Sequence, residues 1–148
     1  MLFRSGVLLA GSTEGDLNGP NAGLRDAFIA SFDADGSQRF ITQFGTAGAD
    51  SVFEVRAVAG WVVATGSTEG DLGGASGERD GVLVWLDADG NVAAFDQFGS
   101  SGVDDLTGLA VSSSGNVFYG GGTFGDLFAT NEGDSDVVLG SAKGPDDG

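Results

Sequence analysis

The chain has 148 residues, 41% of them hydrophobic and 28 of them glycine, with 22 acidic residues against 6 basic ones and a formal net charge of −16. That length allows one domain or part of a larger one, and that apolar share is enough for a core, which excludes wholesale disorder. The charge repels nucleic acid phosphates and anionic membranes. The lack of histidine and cysteine excludes a disulfide framework, a thiolate site, a Ser-His-Asp triad and the usual zinc site.

At the start, Arg4 followed by Gly6-Val7-Leu8-Leu9-Ala10 has the outline of a signal peptide, but its apolar core is too short for one. Val7 to Thr13 align instead with Val62 to Thr68, which predicts a strand. No apolar run approaches the roughly 18–20 residues of a membrane helix, so no membrane insertion is expected. Gly11-Ser12-Thr13-Glu14-Gly15-Asp16-Leu17 then opens a glycine-rich loop. The same stretch returns as Gly66 to Leu72, and again, worn down, as Gly121 to Leu127, so that Asp16, Asp71 and Asp126 stand 55 residues apart. A fixed period of that size marks a repeat architecture.

Arg25 to Gly36 align with Arg79 to Gly90, and Gln43 to Asp50 with Gln97 to Asp104. Each period holds four short apolar runs divided by Gly/Asp/Ser clusters, the pattern of consecutive antiparallel strands. Phe40, Thr42 and Phe44 alternate with Arg39, Ile41 and Gln43, the profile of an outer strand that is half packed and half wet. Val52 to Val58 and Leu106 to Val111 are modest runs with small or charged residues interleaved. Trp61 to Ala64 and Val82 to Leu86 are continuously apolar, as strands covered on both faces are. A four-stranded unit with two buried middle strands and one polar outer strand predicts a propeller blade.

The succession Gly66 to Gly74, Asp80 to Gly90, Gln97-Phe98-Gly99 and Gly115-Asn116-Val117-Phe118-Tyr119 resembles the bacterial SBBP (beta-propeller) repeat, over essentially the whole chain. The resemblance implies a blade-type fold and an extracellular or cell-surface setting, and no particular catalytic residue. It also implies that the strand ending in Ala57-Val58 is innermost and the Phe40–Phe44 strand outermost. The fold expected is therefore all-β, built of propeller-type four-stranded antiparallel blades, with about two and a half repeats: a partial blade over 1–49, a full one over 50–98 and a partial one over 104–148. Met1 aligns with Arg56 and Gly148 falls near the turn matching Asp89-Gly90. The chain is thus expected to be cut mid-blade at both ends, with the remaining blades of a longer chain, or self-association, completing the propeller.

Two acidic patterns bear on ligands. Asp33-Ala34-Asp35-Gly36 and Asp87-Ala88-Asp89-Gly90-Asn91 resemble calcium loops, but lack the glycine and glutamate spacing of an EF-hand and suit hairpin turns. Asp16 with Asp26, Asp71 with Asp80, and Asp126 with Asp134 and Asp136 bracket glycine-rich loops. Hard oxygen ligands of this kind suit Ca²⁺, while the competing role of the same aspartates is to cap turns. Asp50 and Asp104 recur at the entrance to a strand, which predicts that they tie a loop down. Glu54 and Arg56, two residues apart, share a strand face and are placed to pair. Trp61, Trp85, Phe28, Phe32, Phe44 and Phe98 suit the core better than sugar stacking. The polar residues repeat, whereas propeller enzymes use unique ones. The expectation is a non-enzymatic structural or interaction module whose acidic loops meet a protein, a glycan or calcium. The alternatives are a calcium-binding adhesion-type module, or part of a propeller enzyme with its catalytic residues in blades absent from this chain.

Overall fold

The computed structural model describes residues 6–74 and 77–145, and the expectations for Met1 and Gly148 fall outside them. Ten strands follow in chain order: β1 (Gly6–Thr13), β2 (Asp26–Asp33), β3 (Gln38–Phe44), β4 (Asp50–Val58), β5 (Trp61–Thr68), β6 (Asp80–Leu86), β7 (Val92–Phe98), β8 (Asp104–Val111), β9 (Val117–Thr123) and β10 (Asp136–Ala142). They form three open antiparallel sheets, each a simple meander: β1-β2-β3, β4-β5-β6-β7 and β8-β9-β10. The fold is all-β. No helix among the described residues is long and apolar enough to cross a membrane.

The turns follow from local chemistry. β2–β3, β6–β7 and β8–β9 are joined by the same tight turn, with Gly36, Gly90 and Gly115 at φ of 87°, 89° and 82°, a region where a Cβ is disfavoured. In each, the glycine N–H donates back three residues, to Asp33, Asp87 or Ser112. The β4–β5 turn places Ala59 at φ 48° and Gly60 at φ 87°, the two-residue arrangement whose twist matches that of its strands.

The three sheets stack, and the middle one is covered on both sides. Val62, Ala64, Val82, Val84 and Leu86 pack against Ala27, Ile29 and Phe40 of the first sheet. On the opposite face, Val63, Leu83 and Trp85 pack against Leu106, Leu109, Val117, Tyr119 and Val138 of the third. This explains the unbroken apolar runs of β5 and β6. Strand side chains alternate between faces, so a strand packed on both faces needs apolar residues at every position. A fully buried leucine such as Leu83 stabilises by about 1.5–3 kcal/mol relative to leaving it exposed. β3 lies at the edge of its sheet with Phe40 inward, as its alternating pattern predicts. Phe44 and Phe98, ending β3 and β7, each reach an aromatic ring: Phe95 for Phe44 and Tyr119 for Phe98, both at 5.4 Å between centroids. Phe28 and Phe32 depart from the core expectation. They alternate with the inward Ala27 and Ile29, and so stand half-buried on the far face of the first sheet.

The first strands of the second and third sheets carry an irregularity at equivalent places, β4 between Val52 and Glu54 and β8 between Leu106 and Gly108. There the neighbouring backbone leaves no room for a side chain. A Cβ on Gly66 would lie 2.0 Å from the Ser51 carbonyl oxygen, and one on Gly121 would lie 1.7 Å from that of Asp105. The bulge and its glycine recur together, one period apart.

Candidate functional site

The long connections β1–β2, β3–β4, β5–β6, β7–β8 and β9–β10 gather at one end of the stack, opposite the tight turns. Exposed carboxylates crowd that end: Glu14, Asp16, Glu69, Asp71, Asp126, Glu132 and Asp134, with Leu24, Phe124 and Phe128 exposed among them.

The buried carboxylates at this end do two jobs. Asp26 and Asp80 begin β2 and β6, and each accepts a hydrogen bond from the glutamine near the end of the next strand, Gln43 Nε2 at 2.9 Å and Gln97 Nε2 at 2.7 Å. The same glutamines reach into the preceding loop. Gln43 Oε1 accepts from the N–H groups of Leu17 and Asn18, Gln97 Oε1 from that of Leu72, and their amide nitrogens donate to the carbonyls of Gly15 and Gly70. The first two Gly-Asp-Leu loops are thus each clamped onto their own sheet by one Asp–Gln pair.

Asp50 and Asp104 begin β4 and β8 and pin the connection that crosses from one sheet to the next. Asp50 accepts from the Thr46 N–H at 2.6 Å and from the hydroxyls of Thr46 and Thr68; Asp104 accepts from the Ser100 N–H at 2.6 Å and from its hydroxyl. Their own N–H groups donate to the carbonyls of Arg25 and Arg79, both at 2.7 Å. Short parallel bridges, Arg25 with Ala49 and Arg79 with Val103, run beside these bonds, and Arg79 pairs with Asp105 at 2.9 Å. These aspartates join successive sheets, which accounts for their recurrence in each period.

Of the seven loop aspartates weighed as calcium ligands, Asp134 is exposed, and the other six accept hydrogen bonds within their own surroundings. Asp16 accepts from the Asn21 N–H, Asp126 from that of Asn131, and Asp71 from those of Gly73 and Gly74. Asp26 accepts from the Ala22 N–H besides Gln43, Asp136 from that of Glu132, and Asp80 from Gln97. Among the described residues, no three acidic side chains come close enough together to hold a metal ion. Asp26 and Asp50 do flank one spot, the space beside Gly45.

At the opposite end, Asp35 and Asp87 cap the tight turns. The Ser37 N–H holds the Asp35 carboxyl below its ordinary value, and Asn91, through its side chain and then its backbone, does the same for Asp87. The third such turn, Ser112-Ser113-Ser114-Gly115, closes with the same backbone bonds and contains no carboxylate. Acidity is therefore dispensable for this geometry, which favours the turn over the metal loop. Between β3 and the β6–β7 turn lies an open groove of ≈ 540 Å³, bordered by Asn18, Phe40, Thr42, Asp89 and Val92 and crossed by a bond from the Thr42 hydroxyl to the Gly90 carbonyl. Glu54 and Arg56 pair at 3.0 Å on β4.

Sequence reasoning did not assign roles to Gln43, Gln97, Thr46 or Ser100. Their signal was present, since each pair sits in the aligned segments beside an aspartate, at matching places in two periods.

No protein-family model matches the chain, and neither does any curated protein. The likeness to the SBBP repeat rests on the quoted motifs alone.

Proposed function

We propose that this chain is a propeller-type repeat module with a structural or binding role, presenting its acidic loop end to a protein partner with a basic surface. One observation carries the reading. The buried aspartates and the glutamines, threonine and serine that bond them are spent on clamping loops and joining sheets, which leaves the exposed carboxylates of the loop end as the chemistry offered to solvent. A catalytic aspartate is not normally copied in each repeat, so a non-enzymatic role fits better. The blade reading draws on stacked antiparallel meanders with a doubly covered middle sheet. The extracellular or cell-surface setting draws on the SBBP resemblance.

Electrostatic recognition of this kind is screened by salt and depends on where the charge sits. The test compares two double variants of equal net charge for capture by immobilised polylysine. Glu14→Lys/Asp134→Lys alters the loop end, and Asp35→Lys/Asp89→Lys alters the turn end. The loop-end variant should lose most of the salt-sensitive binding and the turn-end variant should keep it. Equal losses would refer the binding to net charge and overturn the reading.

A further inference from the structure

The two outer faces of the stack are copies of faces that are buried in its middle. Val62 and Ala64 of the central sheet point at the first sheet, while Val63 and Leu83 point at the third. One period earlier, Val7 and Leu9 occupy the places of Val62 and Ala64, yet they lie on the far face of the first sheet, 53% and 49% exposed. One period later, Phe118 and Leu139 occupy the places of Val63 and Leu83 on the far face of the third sheet, 49% and 77% exposed, beside Val137 at 79%. β1 and β9 contain no charged residue, and β10 contains only Asp136 at its start, in a chain of net charge −16. Apolar residues clustered and exposed on a sheet face in this way mark an interaction surface.

We propose that the far face of the third sheet docks on the far face of the first sheet of a second copy of this chain, repeating between molecules the stacking already made twice within one. The occupant follows from the repeat. Each internal interface joins the following-side face of one sheet to the preceding-side face of the next, and this chain presents an exposed example of both. The contact is heterologous, so it closes into a ring or grows head to tail. Resting on the propeller-type reading, closure by two copies would bring together six sheets, three from each, within the roughly 4–8 blades of closed propellers.

Sedimentation velocity of the full chain over a concentration series, at low and high salt, tests this. Association should increase with concentration and strengthen with salt, because screening relieves like-charge repulsion while leaving apolar contact in place. Leu9→Asp and Leu139→Asp each block one face. Either variant alone should be monomeric, and an equal mixture should recover a dimer through the one face that each retains. Circular dichroism establishes that both stay folded, as expected for exposed positions. A wild-type chain that is folded yet monomeric throughout overturns the docking, and so does self-association of either single variant. A discrete two-copy species supports docking and ring together. A growing ladder supports the docking and overturns closure, separating it from the propeller-type reading.

Discussion

Gln97 Nε2 lies 2.7 Å from Asp80 Oδ2, and the same side chain bonds the backbone of Gly70 and Leu72 from its two ends. One amide therefore satisfies a carboxylate that is 2% exposed and holds the acidic loop above it. Gln97→Leu removes all three bonds and keeps most of the volume. Losing hydrogen bonds to a buried charged group should destabilise by about 2–4 kcal/mol. Urea unfolding should show a lower midpoint at an unchanged slope. A midpoint equal to wild type would mean that the clamp is dispensable.

Gly66 and Gly133 make an internal contrast. A Cβ at 66 would meet the Ser51 carbonyl at 2.0 Å, whereas one at 133 meets nothing within 4 Å, at an ordinary φ. Gly66→Ala has to displace β4 where it bulges and should cost more than about 3 kcal/mol, at the upper end of point substitutions. Gly133→Ala should be neutral or stabilise by about 0.4–1 kcal/mol, through the unfolded chain. Thermal unfolding of the two variants side by side checks both, and equal midpoints would contradict the close approach.

Ala59 is the one residue other than glycine with positive φ among the described residues, at 48°. The left-handed region costs a residue with a Cβ roughly 1 kcal/mol, and asparagine tolerates it better. Ala59→Asn should therefore stabilise by a few tenths to about 1 kcal/mol. A loss of stability in chemical denaturation would show that the turn is not of this type.

Calcium should leave the fold unmoved. The carboxylates of Asp16, Asp26, Asp71, Asp80, Asp126 and Asp136 already serve as hydrogen-bond acceptors, and no three acidic groups converge among the described residues. Unfolding curves in EDTA and in millimolar Ca²⁺ at matched ionic strength should superimpose. A ligand at a hundredfold excess over its Kd adds about 2.7 kcal/mol. A rise of several degrees with Ca²⁺ but not Mg²⁺ would return the loops to metal binding.

What the sequence made legible is what burial and periodicity control. β5 and β6 are apolar at successive positions because both their faces are covered, and β3 alternates because only its Phe40 face is packed against the next sheet. Ser112 to Gly115 were silent as a turn of the Asp87–Gly90 kind, since the backbone bonds that close it leave no trace in side-chain type. Phe28 and Phe32 were misleading for the opposite reason. Hydrophobicity marks a face that can be buried, and their face lies at the outside of the stack, beside Val7 and Leu9. The loop clamps were half legible. The aspartates were visible as repeating, but a glutamine gains meaning only when strand pairing sets Gln97 opposite Val82, two residues along the strand from Asp80.

Tyr119 reports directly on the interface between the second and third sheets, because it is the only tyrosine in the chain. It is 8% exposed, stacks on Phe98 at 5.4 Å and leaves no space for a side chain at Gly140. Burial pushes its phenol above the ordinary value, and the negative charge of Asp96 adds to the rise. A folded value above the unfolded one means that the folded state disfavours the phenolate. The stability tied to the neutral ring is complete below about pH 10 and is lost as pH rises through the folded value. Titration by phenolate absorbance should give a midpoint above that of the chain in denaturant. Asp96→Asn should move it part of the way down, and Tyr119→Phe should flatten the alkaline limb of the stability curve. A native midpoint equal to the denatured one would mean that water reaches the ring and that the second and third sheets are not packed here.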